Sequence, residues 1–146
     1  MDTAGCELPR VLLVEDEPTA LRFYADVLAA AGFQVIETVR GADALRQAFS
    51  AQPAAILADL GLPDFDGFEV CRQVKLRPEL AHVPVMAITG RAMALHDIEL
   101  AEEVGFHSVL IKPVTAEVLV GALMRALHGK STGSTRHGPG ESARAS

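Results

Sequence analysis

The feature that most limits what this chain can fold into is an alternation, repeated five times, of short apolar runs with longer segments of helical spacing. The runs fall at Val11–Val14, Gln34–Ile36, Ala54–Ala58, Val83–Ile88 and Ser108–Ile111. Each is too short for a helix and nearly continuous in apolar character, as suits a strand buried on both faces of a parallel sheet. Strict alternation of strand and helix predicts a doubly wound α/β fold. Right-handed crossovers then place helices on both faces of the sheet. At this size the expectation is a flavodoxin-like, five-stranded parallel sheet of order 2-1-3-4-5, flanked by five helices. Its ligand crevice lies at the C-terminal ends of the strands.

The intervening segments carry their own start and stop signals. Pro18 suits a first helical turn and Gly32 a stop, so the first helix is expected over 18–31 with Leu21, Tyr24, Leu28 and Ala31 facing inward. Further helices fit 42–51, 67–75 and 91–104, the last ended by Gly105. The clearest stripe is the final one. Val118, Leu119, Ala122, Leu123, Ala126 and Leu127 share a face, with Thr115 placed as its N-cap. After about Gly129 the chain is rich in Gly, Ser, Thr and Pro and has no large apolar residue. Such a stretch has nothing to bury and reads as a disordered tail. The organisation expected is a lead over 1–9, one domain over 10–128 and a tail over 129–146.

Composition narrows the function classes. The formal net charge is −6, and the stretch from Lys130 onward carries three basic residues and one acid, which leaves −8 for the body. An acidic body with no basic stripe repels phosphate backbones, so no nucleic-acid binding is expected. No apolar run reaches the length of a membrane span, and the first residues lack a secretory pattern, so the expectation is a soluble cytoplasmic protein with no membrane partner. Cys6 and Cys71 are far apart and read as reduced thiols, and the five histidines never cluster as zinc ligands would.

Four of the five strands deliver a polar or charged residue to the same edge of the sheet. Strand one is followed by Glu15-Asp16-Glu17, strand three by Asp59, strand four by Thr89-Gly90 and strand five by Lys112-Pro113. The intervals from 16 to 59, 59 to 89 and 89 to 112 are 43, 30 and 23 residues. The last two fit single crossovers and the first a path through strand two. Carboxylates crowded together repel unless a cation joins them. Mg²⁺ suits such a set, since it takes hard oxygen ligands from one or two carboxylates and several waters. Asp59 could then attack phosphorus in line, with Lys112 as a compact positive charge for the phosphoryl oxygens and Thr89 as a hydroxyl that turns toward the new phosphate.

With these residues in place, the segments VLLVEDEP (11–18), ILADLGLPDFDGFEV (56–70), VMAITG (85–90) and VLIKP (109–113) together resemble the receiver domain of bacterial response regulators. The resemblance covers Arg10 to His128. It implies that Asp59 is the phosphoacceptor, loaded from a histidine kinase or a histidine phosphotransfer protein. It implies that Asp16 and Asp59 ligate Mg²⁺ directly, that Glu15 acts through water, and that the Gly61 main-chain carbonyl adds a further oxygen. Thr89 and Lys112 would bind the acyl phosphate, and Gly61 and Arg91 would flank it and tune its hydrolysis. In this family the Lys-Pro bond is typically cis. One departure stands out. Receivers commonly carry an aromatic residue three positions before the strand-five lysine, and here that position is Val109. A relay through Gly90–Met93 is the expectation in its place.

Other readings stay open at this point. Glu15-Asp16-Glu17 also suits helix capping before Pro18. Asp64-Phe65-Asp66-Gly67 resembles part of a calcium loop but lacks the remaining ligands, so turn chemistry accounts for it better. A Mg²⁺-dependent phosphatase with an aspartyl-phosphate intermediate usually needs a second acid two residues after the nucleophile, where Gly61 stands. A nucleotide-binding domain would carry a glycine-rich loop after strand one in place of acids. The leading expectation is a stand-alone phosphoacceptor domain, not an enzyme on other substrates, that switches binding to a downstream protein. A phosphate shuttle or sink, or a scaffold of the same shape, is the alternative.

Overall fold

The structure is a computed structural model, and it describes residues 8–61, 67–90, 94–128 and 135–137. Strands β1 (Arg10–Val14), β2 (Gln34–Thr38), β3 (Ala55–Asp59), β4 (Val85–Thr89) and β5 (Ser108–Ile111) alternate with helices α1 (Pro18–Ala30), α2 (Gly41–Ala51), α3 (Gly67–Leu76), α4 (Ala94–Val104) and α5 (Ala116–Leu127). All strand pairs are parallel, and the order begins β2-β1-β3-β4-β5, as the alternation predicts.

Period-two alternation within the strands builds two cores. Leu12, Val14, Ile56, Ala58, Val85, Ala87 and Val109 point to one face, where residues of α2, α3 and α4 cover them. Val11, Leu13, Ala55, Leu57, Met86, Ile88 and Leu110 point to the other, under α1 and α5. β1, β3 and β4 are buried on both faces, and each fully buried Leu or Ile there contributes about 1.5–3 kcal/mol. β2 lies at an edge and is only half buried, so its apolar run was the shortest to read.

The helix ends follow the local chemistry. Pro18 opens α1, and the Glu17 carboxylate is its N-cap, accepting from the Ala20 amide at 2.7 Å. The capping reading of the acidic run is therefore right for Glu17. Ala31 is exposed, contrary to expectation, because it is the C-cap that leads to Gly32 at φ +99°. Ala25 takes the buried place on that face. Thr115 caps α5, its hydroxyl accepting from the Val118 amide at 3.1 Å. The expected start of α4 at Arg91 and the Asp64–Asp66 turn lie outside the described residues.

One strand is additional to the five expected. β6 (Thr135–His137) pairs parallel with β5 and extends the order to β2-β1-β3-β4-β5-β6. Composition could not indicate it within the stretch read as a tail, since pairing at a sheet edge is made by the backbone and needs no apolar side chain. Among the described residues, no helix is long and apolar enough to cross a membrane.

Candidate functional site

Asp59 is the last residue of β3, and β3 is flanked by β1 and β4, so its side chain is carried to the sheet edge while staying 5% exposed. Both carboxylate oxygens are engaged. Oδ1 accepts from the Gly61 main-chain N–H at 2.8 Å, and Oδ2 accepts from Lys112 Nζ at 3.0 Å across 53 residues of sequence. Lys112 reaches this point because it directly follows β5, where its N–H donates to the Thr89 carbonyl at 2.9 Å and ties the ends of β4 and β5 together. The Lys112–Pro113 bond is cis. Burial alone would lower the Lys112 pKa. The Asp59 hydrogen bond and charge, with Glu15 beyond, raise it above the ordinary lysine value.

Glu15 directly follows β1 and is 1% exposed. Its N–H donates to the Thr38 carbonyl at 3.0 Å, and its Oε2 accepts from the Glu17 N–H at 3.1 Å. Oε1 is buried with no hydrogen-bond partner. Burial, then the neighbouring Asp59 carboxyl, push the Glu15 pKa up to about 7. Two carboxyl groups facing each other in a buried setting need either a proton or a cation between them. Asp16 is exposed, and no three of the described His, Cys, Asp and Glu side chains converge closely enough to hold a metal between them. The expected crowd of three acids is thus a buried pair, Glu15 and Asp59, with Asp16 at the surface beside it.

Thr89 ends β4 and is 1% exposed. Gly61 is exposed, and a Cβ there would sit 3.4 Å from Asp59 Oδ1. Val109 is buried in the core under α2, α3 and α4, with Phe106 in the same cluster. Arg91 lies outside the described residues, as do Ala92 and Met93 of the expected relay.

Tyr24 is a neighbour that the sequence showed only as an inward-facing core residue. It lines an open cavity of about 630 Å³ with Glu17, Phe23, Lys112 and Pro113. Burial raises the pKa of its hydroxyl, which also feels Lys112, Glu15 and Asp59. No local signal announces this role, because α1 meets the β5–α5 connection only in the folded chain.

The arrangement combines a buried carboxylate, a lysine bound to it, a second acid held against it and a hydroxyl on the adjacent strand. The chain as a whole is similar to known proteins. The family model described as response regulator receiver domain matches residues 11–124. The polar-differentiation response regulator DivK of Brucella anthropi is 35% identical over 105 residues, covering 72% of this chain and 85% of its own length. A putative response regulator from Chloroflexus aurantiacus superposes with a TM-score of 0.79 at 27% identity, over 84% of this chain and 99% of its own. The receiver domain of a sensor histidine kinase from Pseudomonas aeruginosa, solved with magnesium coordinated in its active-site cleft, gives a TM-score of 0.77 at 28% identity, over 84% of this chain and 100% of its own.

Proposed function

The chain belongs to the response regulator receiver domain family, a signalling family of phosphoacceptors, and we propose that its acceptor is Asp59. The observation that carries this reading is the 3.0 Å contact from Lys112 Nζ to a carboxylate only 5% exposed. Such a carboxylate is held in place, while the lysine charge stands where phosphoryl oxygens would arrive. An Asp59 oxygen attacks the phosphorus of a phosphohistidine on a kinase or phosphotransfer protein. The P–O bond forms as the P–N bond breaks, and the imidazole leaves. Lys112 then moves its hydrogen bonds to the phosphoryl oxygens, and the Thr89 hydroxyl binds another.

The residues fit a magnesium ion. The unpartnered Glu15 Oε1 and the acid pair are what a cation would neutralise. Asp16, Asp59 and the Gly61 carbonyl would hold it, with Glu15 acting through water. When bound, the ion supplies charge neutralisation for the carboxylates and the incoming phosphoryl group. Exposed Gly61 leaves the approach to Asp59 narrow but open, so Gly61 and Arg91 tune hydrolysis of the phosphate.

Val109 cannot serve as a swinging aromatic, because it is aliphatic and already buried. We assign the relay to the segment after β4, Gly90–Met93. Chemical shifts of that segment and of α4 that stay unchanged on adding Mg²⁺ and a phosphoryl mimic would refute the assignment. The phosphorylated domain is proposed to switch binding to a downstream protein in the cytoplasm, without contacting nucleic acid, since the chain is acidic. The test of acceptance is incubation with Mg²⁺ and a small phosphodonor, followed by intact mass. A gain of one phosphoryl group is expected. No gain with that donor and with authentic phosphohistidine proteins would end the proposal.

A further inference from the structure

Tyr24 stands beside the acceptor site, yet the acceptor chemistry leaves it no task. It follows Glu17 and Ala20 on α1 at the spacing of one helical face, and these three share a cavity wall with Lys112 and Pro113. Its ring is fixed on two sides. It belongs to the buried cluster that contains Leu28, Leu110, Val114 and Leu119, and Phe23 meets it edge-on at 5.6 Å between ring centroids. Packing alone would be served as well by phenylalanine. The hydroxyl is the part that packing does not explain, because a phenol taken out of water costs free energy unless a polar partner offsets it.

We propose that Tyr24 is a positioning residue for Lys112: its hydroxyl, reached through water in the cavity, steadies the ammonium as it passes from Asp59 to an incoming phosphoryl group. The ammonium has three donors, and Asp59 takes one of them. The Lys112 side chain is 36% exposed and lines the same cavity as Tyr24, so its other donors have a wet space to turn into. Burial raises the Tyr24 pKa, which keeps the hydroxyl neutral and its oxygen an acceptor near pH 7. Among the charges that act on this hydroxyl, Lys112 comes ahead of Glu15 and Asp59. A water that bridges two such groups holds them nearly as well as a direct bond. A lysine whose stem is otherwise free to rotate is thereby given a second anchor on the cavity side, and its ammonium stays in reach of the phosphoryl oxygens.

This role rests on Asp59 as the acceptor, so the test includes one arm that needs no phosphate. The chain has one tyrosine and no tryptophan, and labelling with ring-¹³C tyrosine gives a single Cζ resonance, that of Tyr24. The resonance is expected to move in Lys112→Met and to stay near its parental position in Lys112→Arg, which keeps the charge. In the second arm, the loading rate is measured against donor concentration for Tyr24→Phe, which retains the ring. The maximal rate is expected to fall about fivefold, as for a bond to a partly exposed charge, with half-saturation unchanged. In a Lys112→Met background the same change should slow loading no further. A resonance indifferent to Lys112 would overturn the proposal, as would parental loading by Tyr24→Phe or a change confined to half-saturation. Equal slowing in both backgrounds would overturn it too, by showing a packing role. Should the parent itself fail to load, the acceptor role of Asp59 falls and this role with it. A parent that loads while Tyr24→Phe matches it removes this role alone.

Discussion

Two half-buried lysines stand at opposite ends of the same sheet and meet different partners. Lys112, at the C-terminal end, donates to the Asp59 carboxylate. Lys75, near the C-terminus of α3, donates to the main-chain carbonyls of Ala81 (3.2 Å) and Val83 (3.0 Å), just before β4 begins. Burial acts on both in the same direction, yet the Lys112 pKa is raised and the Lys75 pKa is lowered. Carbonyl dipoles satisfy protons, but only an opposite charge offsets the cost of burying the ammonium. One lysine is paired with a carboxylate, and the other is bonded to main-chain carbonyls that hold the turn between α3 and β4.

Substitution at either lysine, or at its partner, separates the two roles. The largest effect is expected from Asp59→Asn, which keeps the shape of the site and removes the nucleophile: intact mass should show no phosphoryl gain under conditions that load the parent. Next comes Lys112→Met. Removing one positioned charge from a phosphoryl site should slow loading about 10²-fold, measured as the rate of phosphate uptake at fixed donor. Loading at the parental rate would mean that the contact with Asp59 is structural only.

At the other end, Lys75→Met should load at the parental rate. Its cost is to folding, about 1 kcal/mol in urea denaturation, because the Ala81 and Val83 carbonyls lose their donor in a partly exposed setting. A loading defect in this variant would erase the distinction between the two ends. The smallest effect is a pH dependence at the same end. His107 precedes β5, and both of its ring nitrogens are buried without a partner. Burial, with Arg125 and Lys75 adding to it, lowers its pKa from the ordinary 6.5. Below about pH 6.5 the unfolded chain then takes up a proton that the folded chain resists, so this group makes stability fall as pH drops through that window. His107→Phe should remove the contribution. Its urea midpoint relative to the parent should rise as pH falls from 7, whereas a constant difference would show that the ring titrates normally.

Much of this was legible in the chain. Runs such as Val11–Val14 and Ala54–Ala58 announce buried strands because apolar continuity is a local property. Pro18, Gly32, Gly105 and Thr115 announce helix ends because caps and turns are local as well. Asp59 and Lys112 could be paired in advance because strict alternation brings strand ends to one edge. Ala31 failed as an inward residue because a helix end shifts the face by a fraction of a turn. β6 was invisible because its pairing is made by backbone groups that every residue carries.

By itself, then, the sequence determined the order of the five strands and five helices up to α5, their parallel pairing and the identity of the groups at the C-terminal edge of the sheet. Those follow from hydrophobic period and residue chemistry, which need no knowledge of the partner. Only the tertiary structure decided that Glu15 is buried against Asp59 while Asp16 faces outward, that Tyr24 joins the site and that Val109 is locked in the core. It alone decided that the uncharged edge of β5 is covered. Burial, charge pairing and edge pairing are properties of contacts between residues distant in sequence, and they exist only once the chain has closed on itself.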